Sequence, residues 1–181
     1  MKEDLRTQLS KKMLKDALLE LLKHKRFYDI NVRELCDKAG VNRSTFYRHY
    51  DNIADVMNDI IDDIGKIIID ANTSSSNDPD HANNYVYHAV RFFDEHHEYD
   101  PLILAEQDSL LTILSRFEDF VLGSFDNIHT GNDAEKRYLV KFLLSGTYAI
   151  LTDWVIHGRK EPAKQIADII YQLSYNTVNG H

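Results

Sequence analysis

The stretch VRELCDKAGVNRSTFYRHY, residues 32–50, decides how the rest of this 181-residue chain is read. Val32, Leu35, Cys36 and Ala39 fall at i, i+3, i+4 and i+7, which puts four apolar side chains on one side of a helix of about two turns. Asn31 stands before this run with the side-chain oxygen that an N-cap uses. Gly40 follows it, where a left-handed residue closes a helix most easily. Asn42 is then placed to cap a second helix over residues 43–50. Two short helices joined at a glycine turn have the layout of a helix-turn-helix, whose second helix lies in the major groove of DNA. The plainer alternative is a helical hairpin with a polar outer face.

Angular position along the second helix sorts its side chains, at about 100° per residue. Phe46 and Tyr50 share one side with Asn42 nearby, and are expected to face the rest of the domain. Ser44, Tyr47 and Arg48 point away, flanked by Arg43 and Thr45. That outer set suits DNA. Arginine reaches guanine O6 and N7, hydroxyls bond to bases or phosphates, and a tyrosine ring packs on a thymine methyl.

Residues 35–52, LCDKAGVNRSTFYRHYDN, resemble the core signature of the TetR family of bacterial transcriptional regulators. The preceding SKKMLKDALLELLKHKRFYDINV (residues 10–32) is similar to the family's first helix, with Leu14, Ala17, Leu18 and Leu21 as its expected buried stripe. The resemblance covers residues 8–60. It extends more weakly to FLLSGTYAILTDWVIHGRKEP (residues 142–162), which looks like the C-terminal region of a subgroup common in Firmicutes. It implies an all-α protein of about nine helices, with a three-helix DNA-binding domain at residues 1–52 and a helical regulatory and dimerisation domain at residues 53–181. It also implies DNA contacts from Arg33, Arg43, Ser44, Thr45, Tyr47, Arg48 and His49, with Asn42 at the helix start. Many members carry a phosphate-gripping lysine at the start of the fourth helix. Here that position is Ile53, leaving Asn52 or the helix N-terminus itself to take the role.

Charge is divided unevenly. Residues 1–50 hold 12 Lys and Arg against 7 Asp and Glu, while residues 51–181 hold 9 against 22, giving +5 and −13 within the overall −8. A basic head on an acidic body is expected if only the head meets phosphates. Lys2, Arg6, Lys11 and Lys12 are either an electrostatic arm toward DNA or a solvated helix face. Cys36, the only cysteine, sits on the apolar stripe as a small hydrophobe. No apolar run exceeds four residues and the N-terminus is charged, so neither a signal peptide nor a membrane span is expected, and the cytoplasm is the expected location.

Helical periodicity continues beyond the head. Helices are expected over residues 53–71, 84–98, 110–128 and 134–157, with a short one from Pro101 and loops at 72–83 and 129–133. In the helix over 134–157, Leu139, Phe142, Leu143, Gly146 and Ile150 form one stripe, while Tyr148, Leu151 and Val155 lie away from it. A helix apolar on more than one side is buried on more than one side. Gly158 ends it, and Pro162 opens a last helix with Ile166, Ile169, Ile170 and Leu173 at i, i+3, i+4 and i+7. These stripes, with Trp154, are the expected surface of a four-helix homodimer interface, the alternative being a central core helix in a monomer. A dimer also suits the DNA chemistry, because two recognition helices spaced ~34–36 Å apart read a palindromic operator from successive grooves.

In such proteins the body usually hosts a small-molecule effector. Tyr87, Phe92, Phe93, Phe117, Phe120 and Tyr148 are the aromatic candidates to line that pocket, or else plain core. His88, His96 and His97 invite a metal, but adjacent His96 and His97 would point to different sides of a helix, so no metal or other cofactor is expected. The chain shows no phosphate-cradling glycine loop, no nucleophile elbow and no distinctive carboxylate pair, so it is not expected to be an enzyme. The expected function is a dimeric transcriptional repressor released from DNA by a small molecule. The rival is an interaction module whose body docks a protein partner, with a helical enzyme bearing a DNA-binding-like head as a second rival.

Overall fold

The computed structural model describes residues 2–74, 85–104 and 132–179, which are helix and connecting turn with no strand among them. Eight α-helices are described: α1 (Lys2–Leu22), α2 (Val32–Ala39), α3 (Arg43–His49), α4 (Ile53–Ser74), α5 (Tyr85–Glu95), α6 (Asp100–Leu104), α7 (Asp133–Ile156) and α8 (Ala163–Asn179). The helix expected over 110–128, with Phe117 and Phe120, lies outside the described residues.

The turn at Gly40 forms for the reasons its residues suggest. Asn31 Oδ1 accepts the Glu34 amide at 3.0 Å and caps α2. Gly40 has φ +66°, and the amides of Gly40 and Val41 return to the carbonyls of Asp37 and Cys36 at 3.4 and 3.0 Å. This double closure satisfies two carbonyls that the helix end would otherwise leave open. A Cβ at residue 40 would meet only the Met13 Cε, at 3.9 Å, so the position is constrained by backbone conformation and not by space. Gly40→Ala is therefore expected to destabilise the protein by ~1–2 kcal/mol, measured as a lower urea midpoint with an unchanged slope.

Head and α4 share one core. Leu14, Ala17, Leu18 and Leu22 of α1 pack with Leu35 and Cys36 of α2, Phe46 of α3, and Val56, Met57, Ile60, Ile61, Ile64 and Ile68 of α4. Leu21, expected in the buried stripe, is only half-buried, and its place is taken by Leu19 and Leu22. A boundary at residue 52 therefore marks a change of charge and not a gap in packing. A second core joins Val90 of α5 and Ile103 of α6 to Leu151, Trp154 and Val155 of α7 and Ile166, Ala167 and Ile170 of α8. α5 stands between the two, sending Phe92 into the first core and Val90 into the second.

α5 ends at Glu95, earlier than the expected residue 98, and His97–Tyr99 forms a 3-10 turn. Pro101 has no amide to continue a helical ladder, and it sits instead in the first turn of α6, where none is needed. His96 and His97 therefore do not share a helix. His96 Nδ1 lies 3.0 Å from Glu98 Oε1 and its ring stacks on Phe92, while His97 Nε2 lies 2.9 Å from the Asp94 carbonyl oxygen.

The α7–α8 turn repeats the closure seen at Gly40. Gly158 has φ +78°, and the amides of Gly158 and Arg159 bond to the carbonyls of Val155 and Trp154 at 3.1 and 2.8 Å. Arg159, itself left-handed at φ +53°, turns its guanidinium inward. It donates to the Phe93 carbonyl at 3.1 Å and to Asp100, with its charge 5.4 Å from the Trp154 ring centre. One side chain thus ties α5, α6 and α7 together.

Four residues of the expected dimer surface, Leu143, Trp154, Ile166 and Ile170, are buried in the single protomer, Trp154 also donating Nε1–H to the Glu161 carbonyl at 2.9 Å. Trp154, Ile166 and Ile170 belong to the second core. Phe142 (65% exposed), Gly146, Ile169 and Leu173 (56%) remain open, with Leu139 and Ile150 half-buried. Tyr138, Ala149 and Ile156 extend the open side along α7. By length and composition α7 is also apolar enough to cross a membrane, which the count of short apolar runs did not anticipate. A helix that packs on its own protomer and on a second copy has the same composition.

Candidate nucleic-acid interface

α3 is seven residues long, too short to hold its direction unaided. Its underside is Phe46, fully buried, followed by Tyr50 just beyond the helix end, also buried. Both belong to the core shared by α1, α2 and α4. The opposite side carries Arg43, Ser44, Tyr47 and Arg48, all exposed, with Thr45 and His49 half-buried at its edges. Tyr47 is 58% exposed yet is not loose, because its ring meets the Phe46 ring edge-on at 5.2 Å. An aromatic plane is thereby held outward on a rigid base, as apolar contact with a base edge requires.

Asn42 does not cap α3 through its side chain. Its backbone carbonyl accepts the Thr45 and Phe46 amides at 2.9 and 3.0 Å, while the exposed carboxamide makes no capping bond. The side chain expected to serve the helix is therefore open toward solvent.

The head's cations are unequal. Lys11 pairs with Asp59, Lys15 with Asp63, Lys12 with Asp16, Lys23 with Glu20, Lys25 with Glu34 and Arg26 with Asp29. Arg43 and Arg48 make no ion pair among the described residues, and α3 contains no acid. Arg6 of α1 and Lys38 of α2 likewise make no ion pair among the described residues, so the cations open to a polyanion are these two together with the α3 pair. Lys11 and Lys12, considered for an arm toward DNA, are engaged with carboxylates instead. Arg33, at the start of α2, is exposed, but its Nε lies 3.8 Å from Asp37, and a shallow open depression beside it is also lined by Glu34 and Asp37. A phosphate there would compete with the protein's own carboxylates.

The start of α4 is closed in the same way. Asn52 Oδ1 accepts the Asp55 amide at 3.1 Å, while Asp55 Oδ2 accepts the amides of Asp51 and Asn52 at 2.9 and 3.2 Å. This reciprocal capping box occupies the amides of Asp51, Asn52 and Asp55 and places a carboxylate at the helix start. Ile53 packs half-buried against the head core. The Asn52 side chain is thus engaged within the helix start itself.

One constellation escaped the sequence pattern because its members stand far apart in the chain. Tyr50 donates its hydroxyl to Asp59 Oδ2 at 2.5 Å, and Lys11 Nζ donates to the same oxygen at 3.1 Å while lying 5.1 Å from the Tyr50 ring centre. Burial opposes ionising Asp59, but the bonds from Tyr50 and Lys11 and the charge of Lys15 outweigh it and hold the carboxyl below its usual range. Burial, with the adjoining Asp59, pushes the Tyr50 hydroxyl well above its own, so it stays a donor. A depressed folded-state pKa means that the Asp59 ion contributes stability above the unfolded value of about 3.9, and that this contribution is lost as pH falls through the folded value. Asp59→Asn is expected to be less stable than the natural protein at neutral pH, with the gap closing below about pH 4. Urea titrations at several pH values check this. Burial, then the charges of Arg48 and Lys11, lower the pKa of His49.

Comparison with known proteins agrees with this geometry. Residues 14–60 match the model of the bacterial regulatory proteins of the tetR family, and residues 80–176, more than half of the chain, match that family's transcriptional regulator C-terminal region. The chain belongs to the TetR family of bacterial transcriptional regulators. The uncharacterised HTH-type transcriptional regulator YxbF of Bacillus subtilis (strain 168) is 26% identical over 168 residues, covering 88% of this chain. The chain spans 43% of that relative's length. Among solved structures, a TetR transcriptional regulator from Streptococcus agalactiae 2603V superposes with a TM-score of 0.68 at 22% identity, covering 96% of this chain and 98% of that one. The dihydroxyacetone kinase operon activator DhaS superposes at 0.56 and 19% identity, covering 93% and 96%. The fatty acid degradation regulator FadR of Bacillus halodurans gives 0.61 and 15% identity, covering 94% and 96%. At these identities the structures share the TetR-family fold.

The aromatic residues expected around an effector are divided between the two cores. Phe92 belongs to the first, packed with Tyr99 and His96, and Tyr87 packs against the second. Phe93 touches both, and Tyr148 donates its hydroxyl to the Ile103 carbonyl.

Proposed function

We propose that this chain works as a homodimer that binds a palindromic DNA operator through α3 of each protomer, represses transcription there, and is released by a small molecule held in the body. The observation that carries the reading is the outward face of α3, where Arg43, Arg48 and the braced Tyr47 stand exposed, neither arginine making an ion pair among the described residues. Buried Phe46 and Tyr50 supply the fixed base beneath them. Base contacts come from Arg43, Tyr47, Ser44 and Asn42, with Arg48 and His49 directed to phosphates. The open apolar side of α7 and the end of α8, around Phe142, Gly146, Ile169 and Leu173, meets its own copy. Release follows linkage, because an effector that binds better when the heads are wrongly spaced draws the population away from DNA. This work belongs in the cytoplasm, where the operator is.

Selection of bound duplexes from random DNA tests the reading. The expected result is a two-fold symmetric consensus with half-sites about 10 base pairs apart or a multiple of that, and affinity that falls steeply with salt. No enrichment at low salt would overturn it. A second reading draws on DhaS, whose name makes it an operon activator. In that case the body docks a protein partner in place of a metabolite. Stabilisation of the dimer by a metabolite in a thermal-shift screen favours the effector reading. At ~100 times the dissociation constant a ligand adds roughly 2.7 kcal/mol.

A further inference from the structure

We infer that Tyr50 and Asp59 are positioning residues for operator recognition, fixing the C-terminal end of the recognition helix to the helix that leads into the body. The inference rests on the operator-binding role proposed above and adds to it residues that no DNA-contact pattern includes. α3 is held at its start by the Gly40 closure and at its end by Tyr50, whose amide closes the last turn onto the Phe46 carbonyl at 3.0 Å. A displacement of the Tyr50 backbone is therefore passed to Arg48 and Tyr47, two and three residues earlier. Apolar packing of Phe46 and the Tyr50 ring seats α3 on the core, but such contact is non-directional. The hydroxyl bond to Asp59 supplies the direction.

Asp59 in turn is held from α1, by Lys11 at 3.1 Å and Lys15 at 3.9 Å, and Lys15 also pairs with Asp63 one turn further along α4. Two lysines, two aspartates and one tyrosine thus lock three helices at a single joint. The consequence is mechanical. The head and the first three turns of α4 form one rigid body, so the tilt of α4 in the body becomes the direction in which α3 meets the groove. Loss of the Tyr50 hydroxyl should leave protein and dimer intact while the recognition helix gains freedom relative to α4.

The test uses Tyr50→Phe, which keeps the ring, Asp59→Asn and the double variant, each as full-length protein with its dimer state and melting temperature recorded. Each is measured against the selected operator, against operators with one base pair added or removed between half-sites, and against random DNA. Tyr50→Phe is expected to weaken operator binding by about tenfold, the scale of one hydrogen bond to a charged group. Its binding to random DNA should be unchanged and its penalty for altered spacing smaller. The double variant should lose no more than Asp59→Asn does, because both changes break one joint. A merely structural role would lower the melting temperature and leave the spacing penalty as it was, and that result overturns the inference, as does strict additivity of the two losses. If no operator is selected, the proposed function fails and this inference with it. If an operator is found and Tyr50→Phe reads it like the natural protein, only this inference fails.

Discussion

Replacing Phe142 with arginine is expected to leave each protomer folded, convert dimers to monomers and weaken operator binding by about a hundredfold or more, the avidity that joining two modules provides. Phe142 is largely exposed in the single chain, so the substitution removes little of the protomer's own packing. Across an apolar dimer interface the same guanidinium would lose its water, and a buried charge is strongly unfavourable unless it is paired. Gly146→Leu reaches the same end by shape. A Cβ at Gly146 meets nothing within 4 Å in the protomer, so steric conflict arises only if a second copy lies against it. Sedimentation would report the loss of the dimer and gel shifts the loss of affinity. Either variant remaining dimeric with full operator affinity would move the interface elsewhere.

Arg43→Ala and Tyr47→Ala are expected to abolish most of the preference for the operator over random DNA, each at ~1–3 kcal/mol, while dimerisation and melting temperature stay close to those of the natural protein. That is about a 5- to 150-fold loss of discrimination. Both side chains are exposed, and Arg43 makes no ion pair among the described residues, so truncation leaves no orphaned carboxylate behind. Both are assigned base contacts, so both losses should leave the dependence of log affinity on log salt in place, whereas losing a phosphate contact, as in Arg48→Ala, lowers it by about one unit. Competition binding against operator and random duplexes at two salt concentrations checks both statements. Unchanged discrimination in either variant would remove that residue from the recognition surface.

The DNA-reading segment was legible in the sequence because its determinants are local. Asn31, Gly40 and the i, i+3, i+4, i+7 stripe of α2 act within one or two turns of themselves, and each behaves as its chemistry suggests. Asn42 was less legible. A residue type that favours caps does so through either its side chain or its backbone, and here the carbonyl alone serves α3. The charge count was misleading for a tertiary reason. Lys11 and Lys15 add to the basic head in sequence, yet their partners Asp59 and Asp63 stand 48 residues away, one helix packing on another. Tyr50 was hidden as a polar residue although Asp59 is only nine residues on, since its period placed it only on the buried face.

α7 shows the limit most plainly. Its periodicity showed that the helix is apolar on more than one side, but not which side belongs to the protomer. Trp154 and Leu151 went inward and Phe142 and Gly146 outward, because the site of burial is set by where α5, α6 and α8 lie and not by the stripe itself. The amino-acid sequence alone determined the all-helical class, the capped turn, the outward chemistry of α3 and the family, since these depend on neighbours in the chain. Only the tertiary structure decided which cations are free to meet DNA, which apolar face is free to meet a second copy, and how Tyr50, Asp59 and Lys11 join the reading helix to the body. Charges and apolar surfaces are consumed pairwise across space, and only the folded chain brings the members of each pair together.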